Sequence, residues 1–241
     1  AYTSKIDPKS GFVNLFRMKG LTNVKSKYDF FMNFNSIKFD LKEDCFVFEF
    51  DYDKFGDNSD YNKKWKIYTR GERIIYNTKK RRNETIDITN QLKQIFTEYN
   101  FNWESNENLL ESIKNIEIND QNIKSYAPFF DVLLRMFKYS LQMRNSKPNS
   151  SRSDDDYLLS PVKSQDGLFF DSRDEAKKGK DEQKKWKSNL PVDSDANGAY
   201  HIALKGLLLL KERINKNADQ VDLKISHEDW FKFVQTKEYA K

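Results

Sequence analysis

The segment Cys45–Asp53, CFVFEFDYD, constrains the fold more than any other stretch of this chain. Phe46, Phe48 and Phe50 alternate with Val47 and Glu49. That is the period of two at which successive side chains leave opposite faces of a β-strand. The wider composition agrees that the chain folds. Charged residues reach 33%, which implies long solvated segments, but aromatic residues reach 15%, far above what a disordered chain carries.

Around this strand the pattern is mixed. Residues 2–14 read as a turn-rich connector, with Asp7-Pro8 and Ser10-Gly11 as turn pairs. Val24–Phe34 predicts a short helix with Tyr28, Phe31 and Met32 inward. Gly56–Asn62 reads as a turn. Trp65–Thr69 and Arg73–Tyr76 read as strands joined in a hairpin through Arg70-Gly71. Thr89 is a candidate cap for a helix in which Leu92, Ile95, Phe96 and Tyr99 fall at i, i+3, i+4 and i+7. Leu109, Leu110, Ile113 and Ile116 repeat that spacing. Pro128 is expected to open the longest helix, burying Phe129, Val132, Leu133, Met136, Phe137 and Leu141.

Residues 145–156 are a polar loop, 166–173 a turn with a short strand, and 174–189 a charged low-complexity surface loop. ANGAYHIALKGLLLLKERI then reads as one helix. Ser226 opens a last helix with a capping-box pattern and Trp230, Phe233 and Val234 inward. The Lys79–Arg82 run KKRR reads either as a solvated basic loop or as a nucleic-acid contact.

Several chemistries are excluded. Cys45 is the only cysteine and sits in apolar company, so it is expected to be a buried structural thiol with no disulfide framework or zinc knuckle. His201 and His227 are the only histidines; both look structural, which removes histidine zinc sites and a histidine general base. No glycine-rich phosphate loop is present. The apolar run at Leu207–Leu210 is too short to span a bilayer, and no signal-peptide pattern opens the chain. A reduced, cytoplasmic compartment with no membrane partner is expected. A net charge of +5 is compatible with phosphate binding.

Carboxylates are the remaining catalytic candidates. Asp193 and Asp195 precede the small residues Ala196, Asn197, Gly198 and Ala199 where a helix begins. A carboxylate there can point into a crowded site, and hard oxygen ligands suit magnesium or manganese, two of which can activate water against a phosphodiester. Equally, either aspartate can simply cap the helix.

DSDANGAYHIALKGLLLL closely resembles the third RuvC motif of type V-A CRISPR effector nucleases, RNA-guided DNA endonucleases with adjoining RuvC and Nuc domains. YTSKIDPKSGF resembles the segment leading into the Nuc domain, SLQMRNS the end of a Nuc helix, DYLLSPV and GLFFDSR the segments after it, and SHEDWFKFVQ the closing helix. The resemblance implies an α+β fold: a mixed Nuc domain with short antiparallel strands and several helices, joined to the C-terminal helical piece of a split RNase H-like RuvC domain. The implied boundaries are a RuvC connector at 1–12, Nuc at 13–192 and the RuvC segment at 193–241.

The same resemblance makes Asp195 the catalytic metal ligand, Asp193 a supporting or capping group, and Arg144 the Nuc arginine associated with cleavage. Ser146 and Asp156 become DNA-handling positions. The implied cofactor is Mg²⁺ (or Mn²⁺) in a two-metal site, the implied partners are the target and non-target DNA strands and a guide RNA, and the implied protein is a bacterial monomer. The family's other two acidic ligands match nothing in this sequence, and Glu49, Asp51 and Asp53 do not replace them. The chain starts at Ala1 in what reads as mid-protein sequence, so it is expected to be a piece inactive alone in guided cleavage. A non-catalytic DNA-handling or interaction module is the alternative.

Overall fold

A computed structural model describes residues 5–55, 64–116, 122–146, 156–174, 190–215 and 224–236. The chain forms two compact units, one of Leu15–Gln142 and one in which Ala1–Asn14 joins Met143–Lys241. The expected loop at 56–62, all but the first residue of that at 174–189, and the middle of the 145–156 loop lie outside the described residues.

In the Leu15–Gln142 unit, helix α1 (Val24–Met32) is followed by an antiparallel sheet in the order β1 (Ser36–Asp40), β2 (Cys45–Asp51), β3 (Lys64–Tyr68). The phenylalanine alternation of β2 works as expected: Phe46, Phe48 and Phe50 are buried, while Val47 and Glu49 are half-buried. Phe137 is the hub beneath them. Its ring lies 5.1 Å from those of Phe16, Phe34 and Phe48, and within 6.2 Å of Phe30 and Phe31. Edge-on ring packing of this kind adds to the stabilisation from burial alone. Cys45 is fully buried, and desolvation pushes its thiol up to about 12, which makes it inert.

Four local expectations are corrected. β3 does not pair across Arg70-Gly71; it pairs with β2, while β4 (Glu72–Asn77) pairs with β5 (Arg82–Asp87) in a separate two-stranded ribbon. β2 offers β3 an aromatic partner, and β5 lies only four residues beyond β4. Helix α2 (Ile88–Glu98) is capped by Asp87, whose carboxylate accepts from the Asn90 N–H at 2.9 Å; Thr89 is buried within the helix against the Thr69 hydroxyl. Helix α4 (Ile123–Ser140) begins a turn and a half before Pro128, which it carries internally; α3 (Leu109–Lys114) precedes it. In α1 the buried rings are Phe30 and Phe31, with Tyr28 and Met32 only half-buried, because Phe30 faces Phe16 and Phe55.

In the other unit, the connector turns as expected. Asp7 accepts the Lys9 and Ser10 N–H groups, and Ile6 bridges to Val13. Gly11 at φ +72° lies so close to Val234 that a Cβ would sit 2.4 Å from its carbonyl oxygen. A second antiparallel sheet has the order β6 (Arg144–Ser146), β7 (Asp156–Lys163), β8 (Phe169–Asp171). Pro161 is accommodated in β7 because the register shifts between Leu159 and Lys163. Helix α5 (Ser194–Asn215) packs against β7, and α6 (His227–Thr236) buries Trp230, Phe233 and Val234 behind a Ser226 cap.

Candidate functional site

The β6–β7 ladder decides which polar groups meet. Ser146 lies directly opposite Asp156, and Arg144 opposite Leu158. Directly opposed residues in an antiparallel pair share a face, as do residues two apart along a strand. Arg144, Ser146 and Asp156 therefore project from one face, while Asn145, paired with Tyr157, is buried on the other. The Arg144 guanidinium sits 3.6 Å from the Asp156 carboxylate, with the arginine side chain 55% exposed and the aspartate 32%. Arg144 is thus on a strand, four residues past the end of α4, and reachable from solvent.

Asp156 is electrostatically stressed. Burial raises its pKa above the ordinary carboxylate range, Arg144 pulls it back down, and the charges of Asp193 and Asp195 add to the rise. Its Oδ1 is buried with no hydrogen-bond partner. The start of α5 thus brings its two aspartates within electrostatic reach of the β6–β7 face, although 37 residues separate Asp193 from Asp156.

The two aspartates do different things. Asp193 is the cap: its Oδ1 accepts the Ala196 N–H at 2.7 Å, and its carbonyl accepts the Asn197 N–H. Asp195 lies in the first helical turn, exposed. Since Asp193 has taken the capping role, Asp195 is available to a ligand. The helix behind it is anchored by buried Asn197, whose amide donates to the Ile6 carbonyl, and by buried His201, whose Nδ1 lies 2.9 Å from the Asn197 carbonyl. Burial holds the His201 pKa down at about 4, so the ring is neutral and structural near pH 7. His227 lies exposed at the start of α6.

One further arginine in this sheet was not singled out by sequence reasoning. Arg173 bridges Asp171 at 2.7 Å and lies 4.0 Å over the Tyr157 ring, on the β8 side. Only the tertiary pairing of β7 with β8 reveals it.

Glu49, Asp51 and Asp53 belong to the Leu15–Gln142 unit, where Glu49 faces Lys66 and Asp51 accepts from Asn35. Among the described residues no group of three His, Cys, Asp or Glu side chains could hold a metal ion. Asp195 could therefore contribute one oxygen ligand, but the described residues alone do not fit a two-metal site.

A fold of small antiparallel ladders and helices, presenting an arginine paired with an aspartate on one strand face, has the makings of a phosphodiester-handling domain. The chain matches the family model described as NUC, nuclease domain, over residues 6–174, and it belongs to that nuclease-domain family. Membership implies hydrolysis of nucleic acid, with DNA as the substrate class. The match spans Arg144, Ser146 and Asp156 and stops before Asp193. Among the described residues, no helix is long and apolar enough to cross a membrane.

Proposed function

We propose that this chain is the C-terminal nuclease portion of a type V-A CRISPR effector, joining a Nuc domain to the third acidic motif of a split RuvC domain. In this reading residues 13–192 form Nuc and 193–241 supply the RuvC segment, with the guide RNA and the remaining acidic ligands lying outside this chain. The single observation that carries it is electrostatic. Arg144, Ser146 and Asp156 share one face, and Asp193 and Asp195 are near enough to raise the Asp156 pKa. A face of this kind repels a phosphate chain unless a cation intervenes.

Arg144 is the chain's own cation there. Its guanidinium can contact two phosphate oxygens at once, which orients a strand, and Asp156 holds that guanidinium on the shared face. Magnesium would supply Lewis-acid activation of water, with Asp195 as one of its ligands and the others drawn from outside this chain. Sequence selection would come from RNA–DNA pairing, as in guided nucleases generally. The chain alone then lacks guided cleavage.

In the complete guided enzyme, Asp195→Ala should abolish cleavage of both strands while guided DNA binding persists. Arg144→Ala should slow cutting, more for one strand than for the other. Normal cleavage by the Asp195 variant would sink the catalytic assignment. It would leave the second reading, a DNA-handling module, which the scattered placement of the described carboxylates favours.

A further inference from the structure

The ribbon of β4 and β5 ends in a tip that the site above does not use. The strands pair from Glu72↔Asp87 to Asn77↔Arg82, and Thr78–Arg81 turn the corner. Four consecutive cations, Lys79, Lys80, Arg81 and Arg82, occupy this turn and the first strand position after it, all of them exposed. Such a tip would ordinarily be loose, but here it is pinned. The Asn77 side-chain carbonyl accepts the N–H groups of Lys79 at 3.0 Å and Lys80 at 3.1 Å, and the Asn77 amide donates to Glu84 at 2.8 Å.

The charges are also unevenly matched. Glu84 receives Lys80 at 2.8 Å and Arg82 at 3.5 Å, and the Lys80 and Asn77 hydrogen bonds, with a smaller pull from Arg82, hold its carboxyl down at about 2, so it stays ionised. Among the described residues, Lys79 and Arg81 have no such carboxylate. Arg81 sits at φ +49°, a left-handed conformation that Asn or Gly adopts more cheaply than Arg. Tyr76, one residue before the last pair of the ribbon, is 55% exposed, a large ring with more than half of its surface open to solvent among the described residues.

We infer that this ribbon tip is a second nucleic-acid contact, gripping a single strand through Lys79 and Arg81 on successive phosphates while Tyr76 stacks on a base. A row of exposed cations on a hydrogen-bonded turn, following an exposed aromatic ring in the adjoining strand, is complementary to a strand that offers alternating phosphates and π-faces. Lys80 and Arg82, tied to Glu84, shape the tip without spending their charge on the ligand. The inference rests on the family's nucleic-acid substrate and is independent of guided cleavage.

The test is a fluorescence-anisotropy titration of the whole chain with a labelled twenty-nucleotide single-stranded DNA, in EDTA, over a range of salt concentrations. Lys79→Gln with Arg81→Asn should lower the slope of log affinity against log salt by about 1.4, the value for two lost phosphate contacts on a single strand. Tyr76→Ala should weaken binding about fivefold or more with the slope unchanged. Lys19→Gln with Lys42→Gln removes the same charge from exposed sites elsewhere and should leave the slope near wild type.

Equal slopes for the tip and control variants would overturn the inference, as would absence of wild-type binding at low salt. Equal displacement of the strand by poly-glutamate would assign the tip to an acidic protein instead and overturn it too. Because no cleavage is measured, an inactive Arg144 or Asp195 variant that still binds through the tip separates this inference from the proposed function.

Discussion

The Leu15–Gln142 unit and the unit built from Met143 onward use the same device, an antiparallel three-stranded ladder, to opposite ends. In the first, β2 lines one face with Phe46, Phe48 and Phe50 and closes it around Phe137. In the second, β6 and β7 line a face with Arg144, Ser146 and Asp156 and leave it partly open to solvent. One face gains free energy by excluding water; the other holds like charges near each other at some cost. Groups whose ionisation the fold disfavours tend to mark sites of chemistry, because only a ligand relieves them. The aromatic unit is therefore expected to carry stability and the charged one function.

The sharpest way to break this contrast is Phe137→Ala. Removing the hub ring should cost about 4 kcal/mol, measured by denaturant unfolding, with the loss concentrated in Leu15–Gln142. A cost below about 1 kcal/mol would mean that the ring cluster is not the source of that unit's stability.

His201 probes the other unit. The unfolded chain protonates its histidine near pH 6.5, whereas the folded ring resists until about pH 4. Stability is therefore complete above about 6.5 and declines as pH falls toward 4, by on the order of 3 kcal/mol. His201→Leu should flatten that pH dependence whatever it does to absolute stability.

The smallest effect is the most diagnostic. Asp156 has a raised folded pKa, so the native state holds its proton more tightly than the unfolded chain and loses stability as pH rises through that pKa. Asp156→Asn should thus be slightly more stable than wild type at pH 7, by about 0.5 kcal/mol, with the difference vanishing in acid. Its DNA cleavage should nevertheless fall in the complete enzyme. A variant less stable at pH 7 would show that Asp156 is structural.

Legibility followed the range of the interaction concerned. β2 is readable because alternation is a property of neighbours, and the α2 and α3 stripes are readable for the same reason. The Arg70-Gly71 turn misleads because a turn specifies a reversal of direction, not which strands pair; β3 is claimed by β2. β1, with only five residues, and β5, with its run of polar groups, carry too little pattern to stand out. β7 is buried continuously from Tyr157 to Val162 and contains a proline, so neither alternation nor composition announces it. At the site, residue types offered Asp193 and Asp195 without choosing between them, and family likeness singled out Asp195 and Arg144 while leaving Asp193 either a supporting or a capping group; the structure gives Asp193 the cap.

The sequence by itself determined the aromatic strand, the amphipathic helices and the buried, inert thiol. Each depends on residue type or on spacing within a few positions. Only the tertiary structure decided that Arg144 and Asp156 would share a face, that Asp193 and Asp195 would raise the Asp156 pKa, and that the Lys79–Arg82 run would sit at the tip of a β-ribbon. Strand register sets which side chains adjoin, and register is chosen by burial of the whole face rather than by any residue on it.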